Sequence, residues 1–317
     1  MRVMVFLPLI VPVLAAVGAR PLAERLPPRM ATWLLTLSSV VLAVASGAVL
    51  GLLALAGAMS LPVFASLGSL SARAMSRVDA APLLLGVIAA AFLAAAALSV
   101  LRAAWLRISA LISAHREARR LSGDGRLLVI VKDARADAYA VPGWPARIVV
   151  TSGMLDSLTA AESEVLLAHE RAHTAARHYL FLAAARLSAA ANPMLRPLAA
   201  AVSYSIERWA DEQAVRVTGN RPLAARAIAK AALASAAAHS GPGTATHVLG
   251  AAGDKAEISR AGSVPRRVNA LLGPPPPQRF VLLALAIGLV VVSSLAALHA
   301  ADDLHAMIEF AQAVVLA

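Results

Sequence analysis

Four long apolar segments constrain the fold of this chain more than any other feature of its sequence. They cover residues 3–19, 31–58, 81–101 and 280–298. A helix that crosses a bilayer needs about 17–25 mainly apolar residues, and each segment meets that length. Hydrophobic residues make up 59% of the chain and charged residues 15%, whereas a soluble domain is nearer 45–50% apolar and about 25% charged. The sequence therefore predicts a membrane α-helical protein with about four transmembrane helices.

The first apolar segment has a competing interpretation as a secretory signal peptide. Arg2, a short apolar core and Val17-Gly18-Ala19 as a cleavage site would fit such a leader. A second long apolar segment follows after only a short loop, however, and this favours a hairpin of two spans. We therefore interpret the first segment as a span.

The basic residues flank the apolar segments and do not form one patch. The net charge is +11, from 29 basic and 18 acidic residues. This distribution favours attraction to anionic lipid, and no nucleic-acid partner is expected. Arginines follow the first and third segments and precede the fourth, and Arg73 and Arg77 are the minority on the opposite loop. The positive-inside rule predicts a multi-pass plasma-membrane protein with its N-terminus outside and the region before the fourth segment in the cytoplasm.

The chain divides into three parts by this reasoning. Residues 1–121 hold three transmembrane helices and a basic cytoplasmic extension. Residues 122–278 are the only stretch long enough for a folded domain, and 279–317 hold the fourth helix and a short tail. We predict three strands in the domain, at Leu127–Val131, Ala138–Val141 and Arg147–Thr151, with the last two joined around Pro142–Pro145.

The folded region contains the pattern His169-Glu170-Arg171-Ala172-His173. Positions i and i+4 lie on one face of a helix, so the two imidazoles can bind one zinc ion from the same side. Zinc lowers the pKa of its bound water, and Glu170 stands next to the ligands, where it can take the proton. The alternative is a surface helix with incidental histidines. A capping box at Thr159 and Glu162 predicts the start of this helix.

A catalytic zinc needs a third protein ligand and leaves one position for water. A longer pattern that ends in a third histidine is absent, because Ala176 and Tyr179 occupy its last two defined positions. We interpret His178 as a solvated residue at a helix end. The better candidate is Glu207, with Asp211 four residues later on the same face. Glu207 can bind the metal while Asp211 fixes a ligand histidine through its other ring nitrogen.

The motif order resembles that of the integral-membrane gluzincin peptidases. The resemblance rests on HExxH, on the E-x-x-A-D run from Glu207 to Asp211, and on the preceding segment 138–155. The short four-span layout is closest to the beta-lactam-sensor signal-transducer peptidases, which are related to the heat-shock and CAAX prenyl membrane proteases. The resemblance implies an α+β zincin-like domain with one zinc bound by His169, His173 and Glu207. Glu170 would then be the general base, and Asp211 would support a ligand.

Three further expectations follow from this resemblance. A strand of region 138–155 would pair with an extended substrate, or it is a plain structural hairpin. Arg266 or Arg267 could steady an oxyanion or a substrate carboxylate, although flanking positive charge is the favoured reading; His247 and Tyr204 are weaker candidates. The tail after residue 298 is shorter than the sensor domain of the beta-lactam receptors, so antibiotic sensing is not expected.

The apolar segment 180–202 lies between the second histidine and Glu207. One membrane crossing there would place Glu207 on the wrong side, so we expect either a buried pair of helices or a helix resting on the membrane surface. Because the chain has no cysteine, thiolate ligands and a cysteine nucleophile are excluded.

These observations together predict a zinc metalloendopeptidase that hydrolyses a protein or peptide substrate at the cytoplasmic membrane face, in regulated proteolysis. The main alternative is a non-catalytic signalling scaffold or receptor that retains a metal site. A transporter is disfavoured, since no charge marks a substrate path inside the spans. The sequence does not predict an oligomeric state.

Overall fold

A computed structural model of the chain describes residues 2–59, 81–121, 127–142, 146–239 and 255–274, with 283–284, 286–288, 290–299 and 302. Three long helices come first: α1 (Arg2–Arg25), α2 (Pro28–Met59) and α3 (Ala81–Leu121). By length and composition each can cross a membrane, over Leu7–Arg25, Pro28–Ala58 and Leu83–Ser113. They overlap the first three predicted apolar segments, and the first and third end six and twelve residues later than predicted.

The fourth apolar segment is described in part. Its described residues include a shorter apolar helix, Ala286–His299, so the count of four spans stays a prediction. Several features of the sequence lie outside the described residues: the turn at Ser122–Gly125, the tip 143–145 between two strands, Arg73, Arg77, and His247.

Helices α2 and α3 cross at a point where both backbones are in close contact. A Cβ atom added to Gly86 of α3 would lie 2.5 Å from the Cα of Gly57 in α2. Small residues let membrane helices approach so closely that packing between backbones replaces the missing hydrophobic driving force. Gly86 therefore fixes where α3 crosses α2.

A three-stranded sheet follows the spans. Its strands are β1 (Leu128–Val131), β2 (Ala138–Val141) and β3 (Arg147–Thr151). The order is β1-β3-β2, with β1 parallel and β2 antiparallel to β3. All five residues of β3 are buried, as expected for a central strand rich in β-branched residues. β2 is left as an edge strand.

Helices make up the rest of the domain. They are α4 (Ser152–Asp156), α5 (Ala160–Ala175), α6 (His178–Ala191), a 3-10 turn (Pro193–Leu195), α7 (Arg196–Thr218), α8 (Arg221–His239) and α9 (Lys255–Leu272). The predicted capping box of α5 is confirmed: Thr159 Oγ accepts from the N–H of Glu162, whose carboxylate accepts from the N–H of Thr159. Lys230 of α8 donates to the same carboxylate at 2.8 Å.

The largest apolar core among the described residues joins the later helices to the membrane-capable helices α1 and α2. It contains residues of α1, α2, α6 and α7, among them Val11, Leu35, Leu42, Ala185 and Val202. Segment 180–202 is thus a pair of packed helices, and its packing partners include α1, α2 and α3. The folded region after the sheet and helices α1 and α2 therefore share one core.

An arginine connects the same two parts at the end of the first span. Nη1 of Arg208, on α7, donates to the carbonyl oxygens of Ala23 at 2.6 Å, Glu24 at 3.3 Å and Leu26 at 3.4 Å. Carbonyl groups in the last turn of a helix lack partners within the helix, and a cation satisfies them well. The buried Arg208 therefore attaches the end of α1 to α7.

Candidate metal centre

Two helices bring three metal-binding side chains together. His169 and His173 are on α5, and Glu207 is on α7. The two Nε2 atoms of the histidines are 3.1 Å apart. Nε2 of His169 lies 3.6 Å from Oε2 of Glu207, and Nε2 of His173 lies 3.8 Å from Oε1. One atom from each residue lies within 4.8 Å of the other two, so the three can hold a metal ion.

These distances fit a zinc ion. Zinc binds nitrogen and carboxylate oxygen at about 2.0–2.2 Å, and two ligands of a tetrahedral ion are then about 3.4 Å apart. The observed separations of 3.1, 3.6 and 3.8 Å bracket that value. Two imidazoles and one carboxylate also form a donor set used by catalytic zinc, which keeps one position open.

Asp211 and Arg267 lie directly behind the three side chains. Oδ1 of Asp211 is 3.0 Å from Nδ1 of His169, an ion-pair distance. Arg267 donates to both oxygens of Asp211, at 2.8 and 2.6 Å, and its Nη1 is 2.9 Å from Oε2 of Glu207. One guanidinium therefore holds two carboxylates that face the site.

His178 plays a different part from the one its sequence position suggests. The prediction of a solvated helix-end histidine is wrong, because His178 is only 2% exposed. Its Nδ1 lies 3.1 Å from Nδ1 of His173, and its ring packs on Trp209 with centroids 4.7 Å apart. Arg177, with a left-handed φ of 51°, separates α5 from α6. His178 is thus next to a ligand candidate, and it is outside the three-residue cluster.

Burial and the carboxylate–arginine contacts set the protonation of the metal-free site. Burial raises the pKa of Glu207, yet Arg267 and His169 hold it well below its usual range. Burial lowers the pKa of His169, but Asp211 and Glu207 raise it to about 10. For His173 burial dominates and lowers the pKa to about 3. His173 is therefore neutral with a lone pair available, whereas His169 has to release a proton when a metal binds.

A cleft of about 1230 Å³ opens onto these residues. Glu170 is buried and lines the cleft together with His169, His173 and Glu207. The edge strand β2 contributes Tyr139 and Ala140 to one wall. Small and apolar residues of α8 form another: Ile228, Ala231, Ala232 and Ser235. The arrangement brings a carboxylate and a metal-binding cluster together in one cleft.

The structure separates the two arginines singled out by the sequence. Arg267 is buried and lines the cleft. Arg266 lines a smaller cavity instead, pairs with Glu24 of α1 at 3.0 Å and lies over the ring of Tyr204 at 4.7 Å. Sequence reasoning did not foresee that Arg267 contacts Asp211 and Glu207, since no local spacing connects residues more than 50 positions apart.

Comparison with known proteins gives one match. The model of peptidase family M48 matches residues 101–273, which is more than half of the chain. No curated protein matches, and no solved structure matches.

Proposed function

The chain belongs to peptidase family M48, and from that premise we propose that it is a membrane-bound zinc metalloendopeptidase of the gluzincin type. Membership implies metalloprotease activity, and the three apolar helices make this a peptidase with membrane-capable helices. The observation that carries the proposal is the cluster of His169, His173 and Glu207 beside Glu170 in one cleft.

In this proposal His169, His173 and Glu207 hold one zinc ion per chain. When bound, zinc supplies Lewis acidity that polarises a carbonyl oxygen and lowers the pKa of a coordinated water. Glu170 accepts the proton of the attacking water and then donates it to the nitrogen of the leaving amine. Asp211 orients His169 through Nδ1, and His178 does the same for His173. Arg267 keeps both carboxylates ionised and in position.

The substrate is proposed to bind as an extended strand along β2. This strand lies at the edge of the described sheet, where it pairs with β3, and its residues Ala138, Tyr139 and Ala140 line the cleft. An extended peptide can add to the edge of a sheet as a further strand. The alanine-rich wall from α8 leaves room for side chains of the bound peptide. Protein or peptide substrates therefore fit this site better than compact small molecules.

From the motifs we propose that the chain is of the beta-lactam-sensor signal-transducer type. We also propose that its cleavage reaction serves regulated proteolysis. We also propose four spans, an α+β zincin-like domain at residues 122–278, spans with a basic extension at 1–121, and a last span with a short tail at 279–317. The domain would face the cytoplasm.

The proposal is tested by paired variants of one helix. Glu170→Gln removes the base and leaves the three ligands, so zinc content should stay at one per chain while cleavage of casein falls by about 10²–10⁴-fold. His169→Ala should lose both zinc and activity. The matched control is Glu164→Gln, on the exposed side of α5, which should keep both.

The outcomes separate an enzyme from a scaffold. Elemental analysis and a casein assay in detergent are made on the same preparations. Proteolysis at the wild-type rate by zinc-loaded Glu170→Gln protein would refute the catalytic role of Glu170. A scaffold would keep its cellular output in the Glu170→Gln variant and lose it in His169→Ala.

The third ligand is tested separately. Glu207→Ala should abolish zinc binding, because two imidazoles alone hold the ion weakly. Asp211→Asn should lower affinity or activity by about 10–100-fold, as expected for a group that orients a ligand. Unchanged zinc affinity in Glu207→Ala protein would show that another residue completes the site.

A further inference from the structure

Helices α6 and α7 form an antiparallel hairpin that lies along the first two spans. We define the α6–α7 hairpin as residues 178–207, with Asn192 at its turn. α6 contacts α2 and α3, and α7 contacts α1 and α2. The metal-binding side chains of α5 and α7 lie at the open end of this hairpin, where residue 178 begins it and residue 207 ends it. The turn lies at the other end.

The open end of the hairpin carries an aromatic and basic cluster. The rings of Phe181 and Trp33 are 4.7 Å apart, and those of Phe181 and Trp209 are 6.0 Å apart. The guanidinium of Arg29 lies 5.7 Å from the centre of the Trp209 ring. Tryptophan and arginine near the end of a span are typical of the membrane–water interface. This cluster therefore marks the level at which α2 enters the bilayer.

The turn of the hairpin is joined to the spans deep below that level. Nδ2 of Asn192 donates to Oγ of Ser46 at 3.2 Å, and Ser46 donates to the carbonyl oxygen of Pro8 at 2.9 Å. Ser46 comes 13 residues after Trp33 in α2, which is about 20 Å along the helix axis. That depth is about two thirds of a hydrocarbon core of about 30 Å.

The two arms of the hairpin have matching lengths. His178 precedes Asn192 by 14 residues and Glu207 follows it by 15, so each arm is about 21–22 Å long at helical rise. Both arms therefore return to the level of the aromatic cluster. A path that enters and returns on one face satisfies the requirement that His173 and Glu207 meet at one metal.

The outer surface of the hairpin is suited to lipid. Leu180 is 50% exposed and Met194 is 51% exposed. The backbone is helical on both sides of the turn, where Asn192 Oδ1 accepts from the N–H of Met194, so few backbone groups face hydrocarbon. Arg196, near the turn, is long enough to extend its charge toward the far headgroups.

We propose that the α6–α7 hairpin is a re-entrant membrane element. It enters the bilayer from the side of the metal centre, reaches about two thirds of the hydrocarbon depth beside Ser46, and returns. The reason is geometric: a segment that contacts α1 and α2 deep inside their spans lies in the same layer as those spans. The partner of its exposed face is the acyl chains of lipid. The inference holds whether or not the chain cleaves peptides.

Single-cysteine labelling tests the proposal in the full-length protein. The chain has no cysteine, so each variant carries one thiol. Met194→Cys reports on the turn, Val44→Cys on the lipid face of α2, and Val217→Cys on the end of α7 outside the hairpin; these side chains are 51%, 66% and 63% exposed. Sealed membrane vesicles of both orientations are treated with a membrane-impermeant maleimide, before and after addition of detergent with denaturant.

We expect Val217→Cys to be labelled from one side of the intact membrane. Met194→Cys and Val44→Cys should lose labelling from both sides and recover it after denaturation. A fluorophore attached at position 194 should be quenched by lipids brominated midway along the acyl chain. Labelling of Met194→Cys at the rate of Val217→Cys, with no quenching by brominated lipid, would overturn the proposal.

A second position keeps the test decisive if Met194→Cys protein does not accumulate. Leu180→Cys lies two residues into the hairpin, so its fluorophore should be quenched best by lipids brominated near the headgroup. If none of the brominated lipids quenches this fluorophore, α6 lies in water and the proposal is overturned. The order of depths, shallow at position 180 and deep at 194, is specific to a hairpin that dips into the bilayer.

Discussion

Replacing Arg267 by glutamine removes an arginine whose guanidinium contacts both Glu207 of the metal cluster and Asp211 behind it. Arg267 is 6% exposed, and its guanidinium lies within 2.9 Å of Asp211 and of Glu207. Glutamine keeps part of the side-chain volume and loses the charge. In the metal-free protein the buried Asp211 and the partly buried Glu207 would then keep His169 as their shared positive partner among the described residues.

The expected effect is large because the pair is buried. Removing one partner of a buried ion pair destabilises a protein by about 3–5 kcal/mol, since it leaves an uncompensated charge. A change of about 1 kcal/mol shifts the thermal midpoint of a domain of 150–250 residues by about 2–4 °C. The midpoint of the metal-free Arg267→Gln protein should therefore fall by roughly 6–20 °C.

The neighbouring residue supplies a matched control. Arg266 also makes an ion pair, with Glu24, but its side chain is 40% exposed. Exposed pairs contribute about 0–1 kcal/mol, so Arg266→Gln should change the midpoint by only a few degrees at most. Thermal unfolding in detergent is measured for both variants and the wild type after treatment with a chelator, and again with zinc. Zinc restores a positive charge beside Glu207, so it should narrow the gap between Arg267→Gln and wild type.

Equal midpoints for the two variants without metal would refute the reasoning. That result would mean that Asp211 and Glu207 are solvated well enough to need no cation. A gap that widens when zinc is added would contradict the second half of the prediction, because the ion would then depend on Arg267 and not replace its charge.

The remaining predictions concern three other sites. His178→Phe should lower zinc affinity by about 10–100-fold, since His173 loses the group at its Nδ1; competition with a chelator measures this, and unchanged affinity would contradict it. Gly86→Ala should lower the thermal midpoint or prevent accumulation, because its Cβ would lie 2.5 Å from the backbone of α2, whereas Gly51→Ala, with nothing within 4 Å, should behave as wild type. Hydrogen bonds from Lys230 and from the Thr159 backbone lower the pKa of Glu162 from 4.5 to about 2. The stability that ionised Glu162 contributes is therefore present above pH 4.5 and lost as the pH falls toward 2. The difference in thermal midpoint between metal-free wild type and Glu162→Gln should shrink over that pH range. A difference that stays constant would contradict this prediction.

Features set by local spacing could be predicted from the sequence. The capping box at Thr159 and Glu162 is confirmed, because its two hydrogen bonds join residues three positions apart. Strands β2 and β3 have the predicted bounds, and the first three apolar segments correspond to membrane-capable helices. Each of these depends on periodicity or on neighbouring residues, which a single sequence contains.

Features set by packing between distant segments could not be predicted in this way. His178 has the sequence position of a solvated helix-end residue, yet it is buried. It follows the left-handed turn at Arg177, and its ring packs against the ring of Trp209. Arg267 has the sequence context of a flanking membrane charge, yet it reaches Asp211, which is 56 positions away. The apolar character of 180–202 was visible, but its partners α1 and α2 depend on tertiary contacts.

In the proposed membrane arrangement, the hydrogen bonds of Arg208 couple the geometry of the site to the thickness of the bilayer. Spans respond to hydrophobic mismatch by tilting, and the end of α1 is held by the residue next to Glu207. A tilt of the first span therefore pulls on the helix that carries Glu207, while His169 and His173 are on a different helix. Lipid chain length becomes a variable that changes the separation of the metal-binding side chains, and Arg208→Met is the variant that should remove this dependence.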